Sequence, residues 1–104
     1  MKVFLSPLAE KKTQLLLNYL EQEWSIKVRD EFLSKLKKKI NQISRQPRSC
    51  IKSKDFHNLY KCIVSKQTSF FYRIKSNEIE IITLIDNRQE PDKIKNEIKK
   101  HFGK

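Results

Sequence analysis

Glycine is nearly absent from this chain: among 104 residues only Gly103 is one. A dinucleotide fingerprint, a phosphate-cradling loop and a nucleophile elbow all need glycine where the backbone turns sharply or approaches a ligand, so all three are excluded. Cysteine is scarce too. Cys50 and Cys62 are the two present, and together with His57 and His101 they show no metal-ligand spacing, so neither a metal nor a cofactor is expected. Residues 1–24 hold no apolar run of seven, and their longest purely aliphatic stretch is Leu15–Leu17. No signal peptide, transmembrane span or membrane partner is expected, and the chain reads as cytoplasmic with free thiols. Repeats and low-complexity segments are missing as well. A chain of this length makes one domain, over 1–104, burying roughly 65% of its unfolded surface without disulfides.

What is present is positive charge, concentrated in one stretch. The net charge is +11, and residues 35–66 supply +9 of it through Lys35, Lys37, Lys38, Lys39, Arg45, Arg48, Lys52, Lys54, Lys61 and Lys66, against the single acid Asp55. A field of this kind attracts nucleic acid, nucleoprotein or an acidic protein. It equally describes a solvated lysine-rich surface.

The hydrophobic pattern changes period once. Residues 2–5 have strand character. Ser6 then Pro7 is a helix start, a side-chain acceptor followed by proline at the first helical position. Leu8, Leu15, Leu16, Tyr19 and Leu20 recur at helical spacing to about residue 22, with Trp24 expected as a core anchor at the corner. Ser25 is placed to cap a second helix, whose stripe Val28, Phe32, Leu36, Ile40 and Ile43 lies opposite Lys35, Lys38 and Lys39. The short link makes the pair an antiparallel hairpin, ending at Pro47. Beyond a polar connection with a short extended piece around Ile51, three β-rich runs follow at 59–66, 69–75 and 78–85, with turns at Gln67–Thr68 and Ser76–Asn77. The third run is nearly all apolar and reads as a central strand covered on both faces. Pro91 opens a last helix with Ile94, Ile98 and Phe102 on one face. The expectation is an α+β domain of order β-α-α-β-β-β-α: a small, twisted, mainly antiparallel sheet with the helical hairpin on one face and the other face left open or partly covered by the last helix.

Several segments carry a resemblance. Val3-Phe4-Leu5-Ser6-Pro7-Leu8-Ala9, the corner Tyr19, Leu20 and Trp24, the pairs Leu59-Tyr60-Lys61 and Phe71-Tyr72-Arg73-Ile74, and the loop Asp86-Asn87-Arg88-Gln89-Glu90-Pro91 together make the chain resemble the RelE/ParE superfamily of bacterial type II toxins. The resemblance implies a growth-inhibiting toxin, often linked to plasmid stabilisation, and a cognate acidic antitoxin. That antitoxin's tail is expected against the basic, open side of the sheet, and operator DNA is expected to be reached only through the antitoxin. It also implies one of two targets. ParE-like members inhibit DNA gyrase by binding; RelE-like members are ribosome-dependent endoribonucleases that cut mRNA.

For the binding toxin, Lys61, Arg73 and Arg88 are the candidate target contacts. For the ribonuclease, Lys54, Lys61, Arg73, Arg88 and His101 would supply acid–base groups and positive charge. The nuclease pattern is incompletely met: Ile63 stands where a second strand lysine is expected, Ser69-Phe70 where an arginine is expected, and no tyrosine follows Tyr72. The ParE-like branch is therefore favoured. Lys35, Lys38, Lys39, Lys52 and Lys54 are the candidate nucleic-acid contacts, with a plain, non-toxic RNA-binding module as the remaining alternative. Each candidate also has a structural reading: Arg88 as a local ion pair with Asp86 or Glu90, Lys61 and Arg73 as side chains lying along the sheet edge, Tyr60 and Tyr72 as core aromatics with solvated hydroxyls.

Overall fold

A computed structural model describes the backbone of residues 1–102 and the side chains of residues 1–100. The order is β1 (Lys2–Leu5), α1 (Pro7–Glu23), α2 (Ile26–Arg45), β2 (Ile51–Lys52), β3 (Tyr60–Ile63), β4 (Thr68–Lys75), β5 (Glu78–Asp86) and α3 (Pro91–Phe102). The expected order holds, and the extended piece at Ile51 is a strand of its own, adding a fifth member to the sheet. The strands lie in the order β1-β5-β4-β3-β2. All neighbours are antiparallel except β1, which runs parallel to β5 with Val3 beside Ile79 and Leu5 beside Ile81.

Both helix starts follow their caps. Ser6 Oγ accepts from the Ala9 N–H at 3.0 Å and donates to the Ile82 carbonyl at 2.7 Å. Ser25 Oγ accepts from the Val28 N–H at 3.1 Å. Ser6 does more than cap. β1 covers only Glu78–Ile81, so beyond that point β5 has an unpaired edge, and the first edge carbonyl is satisfied by this buried hydroxyl. Ser6→Ala is expected to cost about 1–3 kcal/mol, measured by denaturant titration, because a cap and a buried carbonyl partner are lost together.

The hairpin packs on one face of the sheet. Phe32, Leu36 and Ile43 from α2 and Ala9 from α1 form one core with Tyr60, Cys62, Phe70, Tyr72, Ile79, Ile81 and Leu84, and Ile40 packs against it half-buried. On the other face α3 lays Ile94 and Ile98 against Phe71, Ile82 and Ile85, with Phe56 and Leu59 from the loop before β3. β5 is thus central and buried on both faces, as its composition implies. Its register shifts opposite Phe71/Tyr72, which places Ile82 and Thr83 both toward α3. Phe102, expected on the same helix face, lies outside the residues whose side chains are described.

Three local expectations are corrected. Trp24 is 69% exposed rather than a core anchor, and Leu15 and Tyr19 are exposed as well. The short α1–α2 link turns the chain with Trp24 as the last helix cap, so its ring projects past the end of the core instead of into it. The β3 strand stops at Ile63, and the following turn is centred on Ser65–Gln67, with Thr68 already in β4. The Tyr72 hydroxyl is not solvated: it donates to the Pro47 carbonyl at 2.7 Å, while its ring stacks on Tyr60 at 5.1 Å. The β4–β5 turn is as expected, with Ser76 and Asn77 both left-handed at φ 52° and 63°, the two-residue turn whose twist suits a hairpin.

Candidate target-binding surface

Strand alternation puts Lys61, Ile63, Phe71 and Arg73 on the α3 side of the sheet. Lys61 stands opposite Phe71, so Arg73 is its diagonal neighbour, about 7–8 Å away along the backbone. Arg73 faces Glu80 across β4–β5, and Nε meets Oε1 at 2.7 Å. Glu80 is the more buried partner, with 15% side-chain exposure against 37% for Arg73, so the pair is a strand clamp that leaves part of the guanidinium facing solvent.

Around that guanidinium the fold assembles a cleft of about 600 Å³ lined by Arg48, Lys52, His57, Arg73 and Lys75, with no carboxylate among its lining residues. The loop from Ser53 to Leu59 forms one wall. It is held by Ser53 Oγ, which accepts from the Asp55 and Phe56 N–H groups, and by Asn58 in the left-handed conformation. A second cleft, about 450 Å³, opens toward α3. It shares His57 and Arg73 and adds Asp55, Lys95 and Lys99. The arrangement concentrates fixed positive charge where a phosphate or carboxylate could be held by several donors.

Arg88 lies elsewhere. It follows the Thr68–Asp86 end of the β4–β5 ladder, whereas Arg73 is near the Lys75–Glu78 end. Its guanidinium grips Asp86 with two bonds, Nε to Oδ1 at 3.0 Å and Nη2 to Oδ2 at 2.7 Å, the local pairing anticipated as its structural role, and the side chain remains 74% exposed. Asn87 fixes the loop beneath it by accepting from Ser69 Oγ at 2.6 Å and donating its backbone N–H to the Gln67 carbonyl at 2.7 Å. The Arg88 guanidinium beside Asp86 holds that carboxyl down at about 2. Because the folded value is depressed, this contribution to stability is present above the ordinary carboxylate pKa and is lost as pH falls from about 4 to about 2. The effect is small, since the pair is exposed and screened by salt. Arg88→Ala is expected to return Asp86 to the ordinary carboxylate range in an NMR titration without unfolding the chain.

Beside Arg88 runs a groove of about 840 Å³ between the helical hairpin and the end of β5, lined by Leu16, Tyr19, Leu20, Trp24 and Phe32 with Asp86 and Arg88 at its rim. The exposed Trp24 and Tyr19 belong here. An aromatic rim of this kind suits a protein partner better than a polyanion.

The remaining candidates are dispersed. Lys35 and Lys38 are exposed on α2, on the opposite layer from α3, and Lys39 is half-buried there. Lys54 is exposed in the loop after β2 and Lys52 lines the cationic cleft. The backbone of His101 is in α3, but its side chain lies outside the described residues. The +9 stretch is therefore divided between the helical layer and the β2 edge, and of the two expected arrangements of the other sheet face, partial cover by α3 is the one found. Sequence reasoning left Arg48, His57, Lys75, Lys95 and Lys99 out of the site. Arg48 was visible as part of the basic stretch; nothing linear joins 48, 57 and 75.

The fold and its surfaces define a class: a small α+β domain with a helical hairpin on one sheet face and a cationic cleft at the sheet edge. The family described as "ParE toxin of type II toxin-antitoxin system, parDE" matches residues 3–91, and the chain belongs to that family. No curated protein matches it in sequence. Among solved structures it is similar to the chromosomal ParDE system of P. aeruginosa, with 9% identity, a TM-score of 0.72, and coverage of 83% of this chain and 95% of that one. It is also similar to a YoeB/ParE toxin from Agrobacterium tumefaciens, with 15% identity, a TM-score of 0.61, and coverage of 84% and 99%. A third is the heterotetrameric YoeB–YefM complex of Staphylococcus aureus, with 16% identity, a TM-score of 0.56, and coverage of 86% and 98%. At these identities the likeness to solved structures concerns the fold. Among the described residues no helix is long and apolar enough to cross a membrane.

Proposed function

We propose that this toxin arrests growth by binding an essential target, DNA gyrase, and that an acidic antitoxin neutralises it. The observation that carries the binding mechanism is that Arg88 lies at the opposite end of the β4–β5 ladder from Lys61 and Arg73, so the predicted ribonuclease cations do not converge on one point. Lys61 sits between Ile63 and Phe71, Arg73 is clamped by Glu80, and Arg88 is engaged by Asp86 at the other end of β4. Such groups recognise a surface; phosphoryl transfer needs its donors and its base gathered about one phosphate. The antitoxin partner is supported by the family and by the exposed aromatic groove at Tyr19 and Trp24. The purified toxin is expected to inhibit supercoiling by gyrase and to leave mRNA intact in a translation extract.

A second reading, ribosome-dependent cleavage of mRNA, draws on one observation: His57 and Arg73 line the same two clefts, which offers a titratable group beside a fixed cation. Cleavage of mRNA on ribosomes with gyrase unaffected would replace the binding mechanism with this one, and His57→Ala would then abolish the cut. Normal growth on expression would support the plain RNA-binding module instead.

A further inference from the structure

We propose that Cys50 and Cys62 form a reversible disulfide under peroxide, a redox staple that locks the edge strand β2 onto β3. The argument is one of register. β2 and β3 are antiparallel with Ile51 opposite Lys61 and Lys52 opposite Tyr60. Cys50 immediately precedes β2, and extending the same register by one residue aligns it with Cys62. The Ser53 N–H bonds to the Leu59 carbonyl at 2.8 Å, which marks that pair as hydrogen-bonded. Pairs alternate in an antiparallel ladder, so Lys52/Tyr60 is non-bonded, Ile51/Lys61 bonded and Cys50/Cys62 non-bonded. Non-bonded partners have Cα atoms about 4.5 Å apart, within the range of about 4.4–6.8 Å that a disulfide spans.

The side chains agree with the register. Both thiols are free and belong to the core under the helical hairpin, Cys62 at 1% exposure and Cys50 half-buried against it. Burial, and after it the neighbouring Cys50 thiol, push Cys62 up to about 12, with Lys39 opposing; the same Cys50 group adds to the burial that raises Tyr72. Cys50 is thus the sulfur an oxidant reaches, and Cys62 is the resolving partner held behind it.

The chemistry closes with hydrogen peroxide as oxidant. The Cys50 sulfur attacks one peroxide oxygen; an S–O bond forms, the O–O bond breaks, and hydroxide leaves to take up the thiol proton as water. The Cys62 sulfur then attacks the Cys50 sulfur; the S–S bond forms, the S–O bond breaks, and a second water departs with the Cys62 proton. Both sulfurs are oxidised and the peroxide is reduced to water. A dithiol reverses the bond by exchange.

The consequence is local. β2 is a two-residue strand at the sheet edge, and the segment before it carries Arg48 while the strand carries Lys52, two of the cations of the edge cleft. A short edge strand of this kind opens readily, and the staple closes it. This inference stands whatever the toxin's target is.

The test uses the full chain, purified and reduced, then exposed to hydrogen peroxide, denatured, alkylated and mapped by mass spectrometry. A Cys50–Cys62 cross-linked peptide pair is expected, with no alkylable thiol left and full reversal by dithiothreitol. Cys50→Ser should leave the Cys62 thiol alkylable after the same treatment. Hydrogen exchange at residues 48–52 should slow by about tenfold or more on oxidation of the parent chain and be unchanged in Cys50→Ser. Persistent free thiols, over-oxidised Cys50 without a cross-link, cross-links only between chains, or a cross-link with unaltered exchange would each overturn the proposal.

Discussion

Leu36→Ala is expected to destabilise the chain by about 2–5 kcal/mol, read as a lowered midpoint in a denaturant titration with an unchanged slope. Leu36 is 3% exposed and lies in the stripe of α2 between Phe32 and Ile43, where the helix meets Phe70, Tyr72 and Leu84 in one core. The cost has two parts: the lost transfer of the leucine side chain and the cavity left behind. The cavity collapses poorly here, because it is bounded by aromatic rings held in a sheet and by a helix tied at its C-terminal end. The Met1 amine donates to the Ser44 carbonyl at 2.8 Å, and Ser44 Oγ donates back to the Met1 carbonyl at 2.7 Å. A loss under about 0.5 kcal/mol would mean that the hairpin does not pack on the sheet through this stripe.

Lys61→Ala and Arg73→Ala are each expected to weaken target inhibition by about 1–3 kcal/mol, or roughly 5- to 150-fold, in graded fashion. Contacts spread over a binding surface behave in this way. A single change that abolished activity while its neighbour had no effect would point to catalysis instead. Arg73 needs a control, since its removal strands Glu80, the more buried member of the clamp. Arg73→Ala combined with Glu80→Ala should recover the stability lost in the single variant without recovering inhibition. If the double variant regains full activity, the arginine acts only by steadying the β4–β5 ladder.

Much of the architecture is legible in the order of the residues, because it is written in short-range patterns. Ser6 and Ser25 cap because a serine hydroxyl reaches an N–H three residues on. Ser76–Asn77 turns because asparagine tolerates the left-handed conformation that a tight hairpin turn of this kind needs. The run Ile79–Ile85 is central because a strand with no polar face has no place at a surface. The site is less legible. Alternation puts Arg73 on the face of Phe71, but Lys61 joins that face only through the β3–β4 register and Glu80 becomes Arg73's partner only through the β4–β5 register, whereas Asp86 is visible as a partner for Arg88 because it is two residues away.

The sequence by itself determined the element order, the helix starts, the hairpin turn, the identity of the central strand and the membership of residues 3–91 in a toxin family, since each depends on residues near one another or on their order. Tertiary structure alone decided which side of each element meets what. It turned Trp24 outward at the end of a hairpin whose short link lifts it past the core. It divided a contiguous basic stretch between two layers, because α2 packs over one face of the sheet while β2 forms the sheet's edge. It brought Arg48, His57, Arg73 and Lys75 to one cleft from three separate segments. It packed Cys50 and Cys62 into one core from segments twelve residues apart, with Cys50 one residue beyond the Ile51–Lys61 pair.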